Sequence, residues 1–172
     1  MGLMHDLGLE VRHPNPLQRA IQQLVSTRAG AWLTSKTLHP VDKVLFKASR
    51  GRLTAASLLA ATPVIMVTTR GARSGRERTM PLIGIPVGDG LALIGTNFGQ
   101  KATPGWVYNL ETDPSATVAY RQRAVAVTAR PADVTEADEV FALSRGVYGG
   151  YARYRARVDH RPIRVFILER AA

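Results

Sequence analysis

One stretch of the sequence, residues 70–79, combines four arginines with two glycines. Glycine lets the backbone turn tightly and exposes its amides, and arginine is the best bidentate partner for phosphate and carboxylate. Arg73 and Arg78, with the hydroxyl group of Ser74, could therefore hold an anion at a strand–turn–strand corner. The alternative is a solvated hairpin tip whose arginines serve solubility, and the pattern alone slightly favours that alternative.

Two further segments could contact a flat ring. Residues 95–100, which follow a short apolar run, are small and polar and could offer backbone amides. Trp106 and Asn109 are three residues apart, so on a helix they share a face. Trp106 could stack on a ring and Asn109 could bond its edge, although an ordinary loop and a core tryptophan explain the same residues.

A late aromatic cluster could face a second reactant. Tyr148, Tyr151 and Tyr154 are spaced i, i+3, i+6, which on a helix places them on one wall. A phenol offers a flat apolar surface and a proton donor. A packing helix with a basic outer face is the alternative explanation.

The remaining composition excludes most other chemistries. The chain lacks cysteine, and its four histidines are far apart, so we expect no metal site. No Ser-His-Asp order or carboxylate pair stands out, which favours a cofactor that carries the chemistry itself. The net charge is +10 over 172 residues, and all but four of the 23 basic residues are arginines. That balance suits an anionic partner or a bias towards arginine codons.

The elements that must position these residues fall into two parts. We predict a helical arm over residues 1–52. Asn15 and Pro16 open an amphipathic helix in it, whose apolar face holds Leu17, Ala20, Ile21, Leu24 and Val25, and a second short helix is expected near residues 39–46. Residues 53–172 contain about six short strands in hairpins, with one helix inserted and two helices before the last strand. Thr135 and Asp138 are predicted to open the first of those two helices as a capping box. The connections are too short for parallel crossovers, so we predict an α+β fold, an antiparallel barrel with peripheral helices. No secretory signal is visible, and we expect a cytoplasmic protein.

In their order and spacing, these features resemble the deazaflavin-dependent nitroreductase family, a branch of the flavin/deazaflavin split β-barrel oxidoreductases. The similarity covers roughly residues 53–169. It is carried by residues 68–78, Pro81-Leu82, residues 97–100, residues 104–110 and Asp113-Pro114. The resemblance implies a split β-barrel that binds coenzyme F-420, an 8-hydroxy-5-deazaflavin with a phosphate and an oligoglutamate tail.

The resemblance also implies roles for individual residues. The cofactor-binding positions would be Arg73, Ser74, Arg78, Thr79, Pro81, Thr96, Asn97, Phe98, Trp106 and Asn109. Tyr148, Tyr151 and Tyr154 would border the substrate, and we place Tyr151, the central phenol, as the catalytic proton donor. Some members of the family have lysine where this chain has Arg73 and Asn97.

The expected activity is hydride transfer from reduced F-420 to a hydrophobic acceptor such as a quinone, enone or nitroaromatic compound. The alternatives are an FMN-dependent reductase on the same barrel and a non-enzymatic protein that binds a cofactor, haem or lipid. Nucleic-acid binding rests on charge alone, because no recognised module is present, and we expect none. For the arm, three roles stay open: packing on the core, pairing in a homodimer, or contact with a membrane surface.

Overall fold

The computed structural model describes residues 2–10, 15–27, 29–30 and 62–171. Its helices are α1 (Leu3–Leu7), α2 (Pro16–Val25), α3 (Gly105–Thr112), α4 (Val134–Val147) and α5 (Gly150–Arg157), with a short 3-10 turn at Asn97–Gly99. Its strands are β1 (Val64–Arg70), β2 (Glu77–Ile83), β3 (Ile85–Val87), β4 (Gly90–Ile94), β5 (Ser115–Tyr120), β6 (Arg123–Pro131) and β7 (Val165–Arg170).

The seven strands form one antiparallel sheet in the order β2-β1-β5-β6-β7-β4-β3. The two strands at the ends of this order, β2 and β3, are separated in the chain by Gly84 alone, so the sheet must curl until its ends meet. Gly84 is needed at this corner, because a Cβ there would lie 3.1 Å from Cδ1 of Ile65 in the core. The predicted antiparallel split β-barrel is confirmed, with seven strands where the sequence suggested about six.

Strands β4 and β7 are buried on both faces and divide the hydrophobic core in two. Phe166 and Leu168 point into one cluster, and Val165 and Ile167 point into the other, as the two-residue period of a strand requires. The second cluster contains the three late tyrosines. The tyrosine segment therefore packs directly on the barrel wall.

The described N-terminal residues pack against the barrel. Leu3 and Leu7 of α1, with Leu9, are buried in the first core cluster. The division into an arm and a barrel domain stays a prediction, because the second arm helix expected near residues 39–46 lies outside the described residues. Within the described part of the chain, no helix combines the length and apolar character that a membrane span needs.

Helix α2 begins where the sequence predicts but buries a different face. Asn15 caps it, and Gln18 completes the capping box. The predicted amphipathic helix is confirmed, but its apolar face over Leu17, Ala20, Ile21, Leu24 and Val25 is not buried as a whole, because Leu17 and Leu24 are 70% and 69% exposed. Gln22 and Ser26 are buried instead. The polar partners supplied by α5, described below, outweigh the apolar pattern.

Two sequence predictions around the last helices need correction. The capping box of α4 is Asp133 with Glu136, two residues before the predicted pair Thr135 and Asp138. Tyr148 does not lie on a helix with the other tyrosines: it ends α4 in an extended conformation, with φ −150° and ψ 104°. The break between the two helices follows from Gly149 and Gly150, which favour helix termination over continuation.

Candidate active site

A cavity of about 1320 Å³ opens along β2 and the elements that face it. All seven residues of β2 line it, and a seven-residue strand extends about 20 Å. At one end lies the turn between β1 and β2, and at the other Ile83 packs against the tyrosine cluster. The thirteen residues that the sequence marked for cofactor and substrate all line this cavity: Arg73, Ser74, Arg78, Thr79, Pro81, Thr96, Asn97, Phe98, Trp106, Asn109, Tyr148, Tyr151 and Tyr154.

The arginine turn closes tightly over its own backbone. The amide of Gly71 donates to the carbonyl of Arg76, and that of Gly75 donates to the carbonyl of Gly71, each at 2.8 Å. Gly75 has φ +63°, a left-handed conformation that glycine adopts without a Cβ penalty. A Cβ on Gly71 would lie 2.8 Å from Oγ of Ser74. The two glycines thus allow the turn that the sequence predicts.

Asn109 holds this turn from α3. Its Oδ1 accepts a hydrogen bond from the amide of Ala72 at 3.0 Å, and its Nδ2 donates to Oγ1 of Thr69 at 2.9 Å. Both Asn109 and Thr69 are buried. The side chain predicted to bond the cofactor therefore uses both ends of its amide to position the arginine turn.

The charge at this end of the cavity is positive. Arg73 and Arg78 are exposed, and neither makes an ion pair with any described residue. Of the two carboxylates that line the cavity, Glu111 is already paired with Nε of Arg164 at 3.1 Å, which leaves Glu77. Two guanidinium groups without a counter-ion beside an open cavity can bind phosphate or carboxylate.

Thr79 and Ser74, the other cofactor-binding candidates on β2 and the preceding turn, make hydrogen bonds within the protein. The hydroxyl groups of Thr79 and Thr68 share a hydrogen bond of 2.8 Å across the two strands. Oγ of Ser74 accepts a long bond of 3.4 Å from the amide of Arg76. Both side chains still line the cavity, so they shape its wall more than they offer free donors.

The loop after β4 adopts an uncommon conformation. Asn97, Phe98 and Gly99 are successive residues with positive φ angles of 49°, 56° and 76°. For a residue other than glycine this conformation costs roughly 1–2 kcal/mol, so other contacts must hold the loop. Nδ2 of Asn97 donates to the carbonyl of Ala102 at 2.9 Å, and the Phe98 ring lies edge-on to Tyr154 with centroids 6.1 Å apart.

Trp106 belongs both to the core and to the cavity wall. Its ring packs edge-on against Phe166 with centroids 5.9 Å apart, and it is buried. Trp106 is therefore a core residue and also a residue of the cavity wall, so the two alternatives that the sequence left open do not exclude each other. Loss of the indole would enlarge the cavity and open the first core cluster.

The three tyrosines form a compact cluster although Tyr148 lies outside α5. Their ring centroids are 5.7 to 6.4 Å apart, and the hydroxyl groups of Tyr148 and Tyr154 share a hydrogen bond of 2.9 Å. A Cβ on Gly150 would overlap the Tyr148 ring, so this glycine lets the ring fold back over the helix start. Gly150 therefore helps to form the tyrosine cluster.

Tyr151 differs from its two neighbours in hydrogen bonding. It is only 6% exposed and lines the cavity, yet its hydroxyl group has no hydrogen-bond partner among the described residues. Burial raises the pKa of Tyr148, Tyr151 and Tyr154 above the usual value for tyrosine. All three phenols therefore stay protonated at neutral pH, and Tyr151 has a proton free to donate.

Helix α2 supplies cavity residues that sequence reasoning missed. Ile21 and Val25 line the cavity. Nη1 of Arg153 donates to the carbonyl of Gln23 and to Oγ of Ser26, both at 2.9 Å, and Nη2 of Arg157 donates to the carbonyl of Ser26 at 2.7 Å. These bonds join α2 to the tyrosine helix. One signal for this contact was available in the sequence. Arg153 and Arg157 are spaced i, i+4, so they share one face of α5, and the structure places that face opposite the polar end of α2.

The residues present fit a long, flat, anionic cofactor. The cavity follows the length of β2, Arg73 and Arg78 at its basic end make no ion pair with the described residues, and its other walls include apolar and aromatic side chains. A split β-barrel with this cavity can hold a cofactor of the flavin or deazaflavin type.

Comparison with known proteins specifies the family. The sequence model of the F-420H(2)-dependent quinone reductase family matches residues 42–170, and the chain belongs to that family. It is 26% identical over 129 residues to the F-420H(2)-dependent quinone reductase Rv1261c of Mycobacterium tuberculosis, covering 73% of this chain and 85% of the relative.

Two solved structures are also similar. One is described as an F-420-H2 dependent reductase, FDR-A, with a TM-score of 0.57 and 30% identity, covering 62% of this chain and 94% of the other. The second is described as a domain-swapped dimer, with a TM-score of 0.58 and 29% identity, covering 76% and 99% respectively. Membership of the family makes the chain an F-420-dependent oxidoreductase. The family shown is the quinone reductase family, and the nitroreductase name stays a prediction.

Proposed function

We propose that this protein reduces a hydrophobic quinone with reduced F-420, which binds along β2 with its anionic tail at Arg73 and Arg78. The observation that carries the proposal is the presence, in one cavity, of two arginines that make no ion pair with the described residues and of Tyr151, whose hydroxyl group has no hydrogen-bond partner among them. The distance along β2 between these ends, about 20 Å, suits a flat ring system extended by a charged tail.

The cofactor, when bound, supplies a hydride from carbon 5 of its deazaflavin ring. The protein must then hold both reactants and provide a proton. Arg73 and Arg78 bind the anionic part, while Thr96, Asn97 and Phe98 form the wall that faces the ring. Trp106, which is buried between the cavity and the first core cluster, forms an apolar part of the wall.

Tyr151 is the proton donor in this proposal. A quinone that gains a hydride carries a negative oxygen, and one proton completes the hydroquinone. Tyr151 lines the cavity, and its hydroxyl group is protonated and has no hydrogen-bond partner in the described part of the chain, so it can donate that proton or stabilise the oxygen. Tyr148 and Tyr154, bonded to each other, border the acceptor and hold the Tyr151 ring in place.

Two variants test this assignment. Tyr151→Phe is expected to lower kcat by about 10²–10⁴-fold, the usual contribution of a positioned acid, and to leave the dissociation constant of F-420 unchanged. Tyr120→Phe removes the same hydroxyl group away from the cavity and serves as the control. Unaltered turnover in Tyr151→Phe would remove this residue from the mechanism.

Arg78→Ala tests the anionic end. Loss of one charge-assisted bond of about 1.5–3 kcal/mol should weaken F-420 binding about 10- to 150-fold. Parallel titrations with FMN and FAD separate the proposed cofactor from the flavin alternative by their absorbance. A titration curve that Arg78→Ala does not move would refute the placement of the tail.

The finer features of the function rest on separate observations. The exposed Leu17 and Leu24 on α2, with the net charge of +10, favour contact with an anionic membrane surface from which a lipid-soluble quinone enters the cavity. Sedimentation with phosphatidylglycerol and phosphatidylcholine vesicles tests this contact.

The similar chain described as a domain-swapped dimer supports a homodimer, and light scattering measures that state. Nitroaromatic compounds would be reduced in the same cavity as secondary acceptors.

A further inference from the structure

Arg161 lies between α5 and β7 and binds the loop that follows β4. Its Nε donates to the carbonyl of Lys101 at 3.1 Å, and its Nη1 donates to that of Gly95 at 3.2 Å. Nη2 donates to the carbonyls of Thr96 and Gln100 at 3.1 and 3.3 Å. With a longer bond to Pro162, all five N–H donors of the guanidinium group have acceptors.

These bonds hold residues 95–101, a segment whose own hydrogen bonds are few and short-range. Residues 97–99 have successive positive φ angles, and the hydrogen bonds inside the loop are short-range: Gly99 donates to Thr96, Gln100 donates to Asn97, and Nδ2 of Asn97 donates to the carbonyl of Ala102. Arg161 joins the residues before this turn, Gly95 and Thr96, to the residues after it, Gln100 and Lys101. One rigid side chain thus spans both ends of the turn.

The same contacts orient a backbone donor. The carbonyl of Thr96 points to Arg161, and in a trans peptide the N–H of Asn97 points the opposite way. That N–H has no hydrogen-bond partner among the described residues. Because Thr96 and Asn97 both line the cavity, Arg161 and the amide of Gly99, which donates to the same Thr96 carbonyl at 2.9 Å, together set which way this donor faces.

The loop also contacts the tyrosine helix. A Cβ on Gly99 would lie 3.1 Å from Cδ of Arg157 and 3.6 Å from Cα of Tyr154, so the loop backbone packs directly on α5. Together with the ring contact between Phe98 and Tyr154, this packing fixes the distance between the two walls of the cavity.

We propose that Arg161 is the positioning residue of the active site: by bonding the carbonyls of Gly95, Thr96, Gln100 and Lys101, it sets the cofactor-facing loop and its distance from Tyr154. This inference rests on the proposed function for the identity of the ligand. Its structural part, the ordering of residues 95–101, holds for the protein without any ligand. No carboxylate of the described chain pairs with Arg161, so loop carbonyls are its main partners.

Lysine separates geometry from charge. Arg161→Lys keeps the positive charge, but one ammonium group with three donors cannot bridge carbonyls on both sides of the turn. Arg161→Gln removes the charge as well. Arg121→Gln, in an exposed turn between β5 and β6, is the control for loss of one positive charge.

The first measurement is amide hydrogen exchange without ligand. In Arg161→Lys and Arg161→Gln, exchange at Gly99 and Gln100 should rise at least tenfold, while core amides of β1 and β7 stay within twofold of the wild type. Arg121→Gln should change neither. If Arg161→Gln does not fold, the comparison is made with Arg161→Lys alone. The proposal also requires that exchange at Gly99 and Gln100 is slow in the wild-type protein.

The second measurement is the dissociation constant of F-420. Both Arg161 variants should bind F-420 at least tenfold more weakly than the wild type. Arg161→Lys should bind it at most twofold more tightly than Arg161→Gln. Wild-type exchange and affinity in both variants would overturn the inference, and so would full rescue by lysine. If the wild type does not bind F-420, the proposed function fails, whereas the exchange result still decides the role of Arg161 in the loop.

Discussion

The buried amide of Asn109 connects the fold to the anionic end of the cavity, and its replacement by leucine isolates that connection. Leucine is close in size but can neither accept from Ala72 nor donate to Thr69. Ala72 is exposed, so water can satisfy its amide, whereas Thr69 is 2% exposed and its hydroxyl group would lose its partner inside the protein. One buried group left unpaired costs about 1–3 kcal/mol of the free energy of unfolding.

The same substitution should weaken F-420 binding, because the arginine turn would have to be ordered on binding. Fixing one residue costs about 1–2 kcal/mol, which corresponds to a 5- to 30-fold rise in the dissociation constant. Urea unfolding and a fluorescence titration measure the two effects. Asn109→Asp keeps an acceptor for Ala72 and for the Thr69 hydroxyl, so its stability should stay near the wild-type value. Wild-type stability and affinity in Asn109→Leu would refute the positioning role.

The other predictions concern backbone and pH. Gly99→Ala should destabilise the protein by about 1–2 kcal/mol, because φ is +76° and the new Cβ meets Arg157. Gly146→Ala, whose Cβ meets open space in α4, should stabilise the protein by about 0.4–1 kcal/mol. Changes in Tm of the same sign for the two variants would contradict this prediction. The side chain of Arg130, with the Asp133 amide, lowers the pKa of Glu136 to about 2, so its contribution to stability is complete above about pH 4.5 and is lost as the pH falls towards 2. The difference in Tm between wild type and Glu136→Gln should therefore shrink over that range, and a constant difference would exclude the ion pair as its source.

Local signals predicted the strands well, because the period of two and the turn glycines are encoded within a few residues. The barrel followed from the short connections, and the cavity brought together all thirteen marked residues. The roles of these residues were harder to predict. Asn109 bonds Thr69 and Ala72, some forty residues away, and no pattern near Asn109 indicates such partners.

The errors share a physical cause, which is that tertiary partners override local preference. The apolar spacing in α2 predicts burial of Leu17 and Leu24, but Arg153 and Arg157 bind the polar side and the carboxyl end of that helix. Arg161 carries no local signal at all, because its partners are carbonyl groups of a loop sixty residues earlier in the chain. Contacts of this kind are visible only once the fold is known.

A single-turnover experiment tests the central claim most directly. The wild-type protein is mixed without oxygen with reduced F-420 and a soluble quinone, and the return of deazaflavin absorbance is followed. We predict stoichiometric oxidation of F-420 that depends on the protein and is slowed by both Tyr151→Phe and Arg78→Ala. Oxidation no faster than in the absence of protein would contradict the assignment of this cavity as the site of hydride transfer.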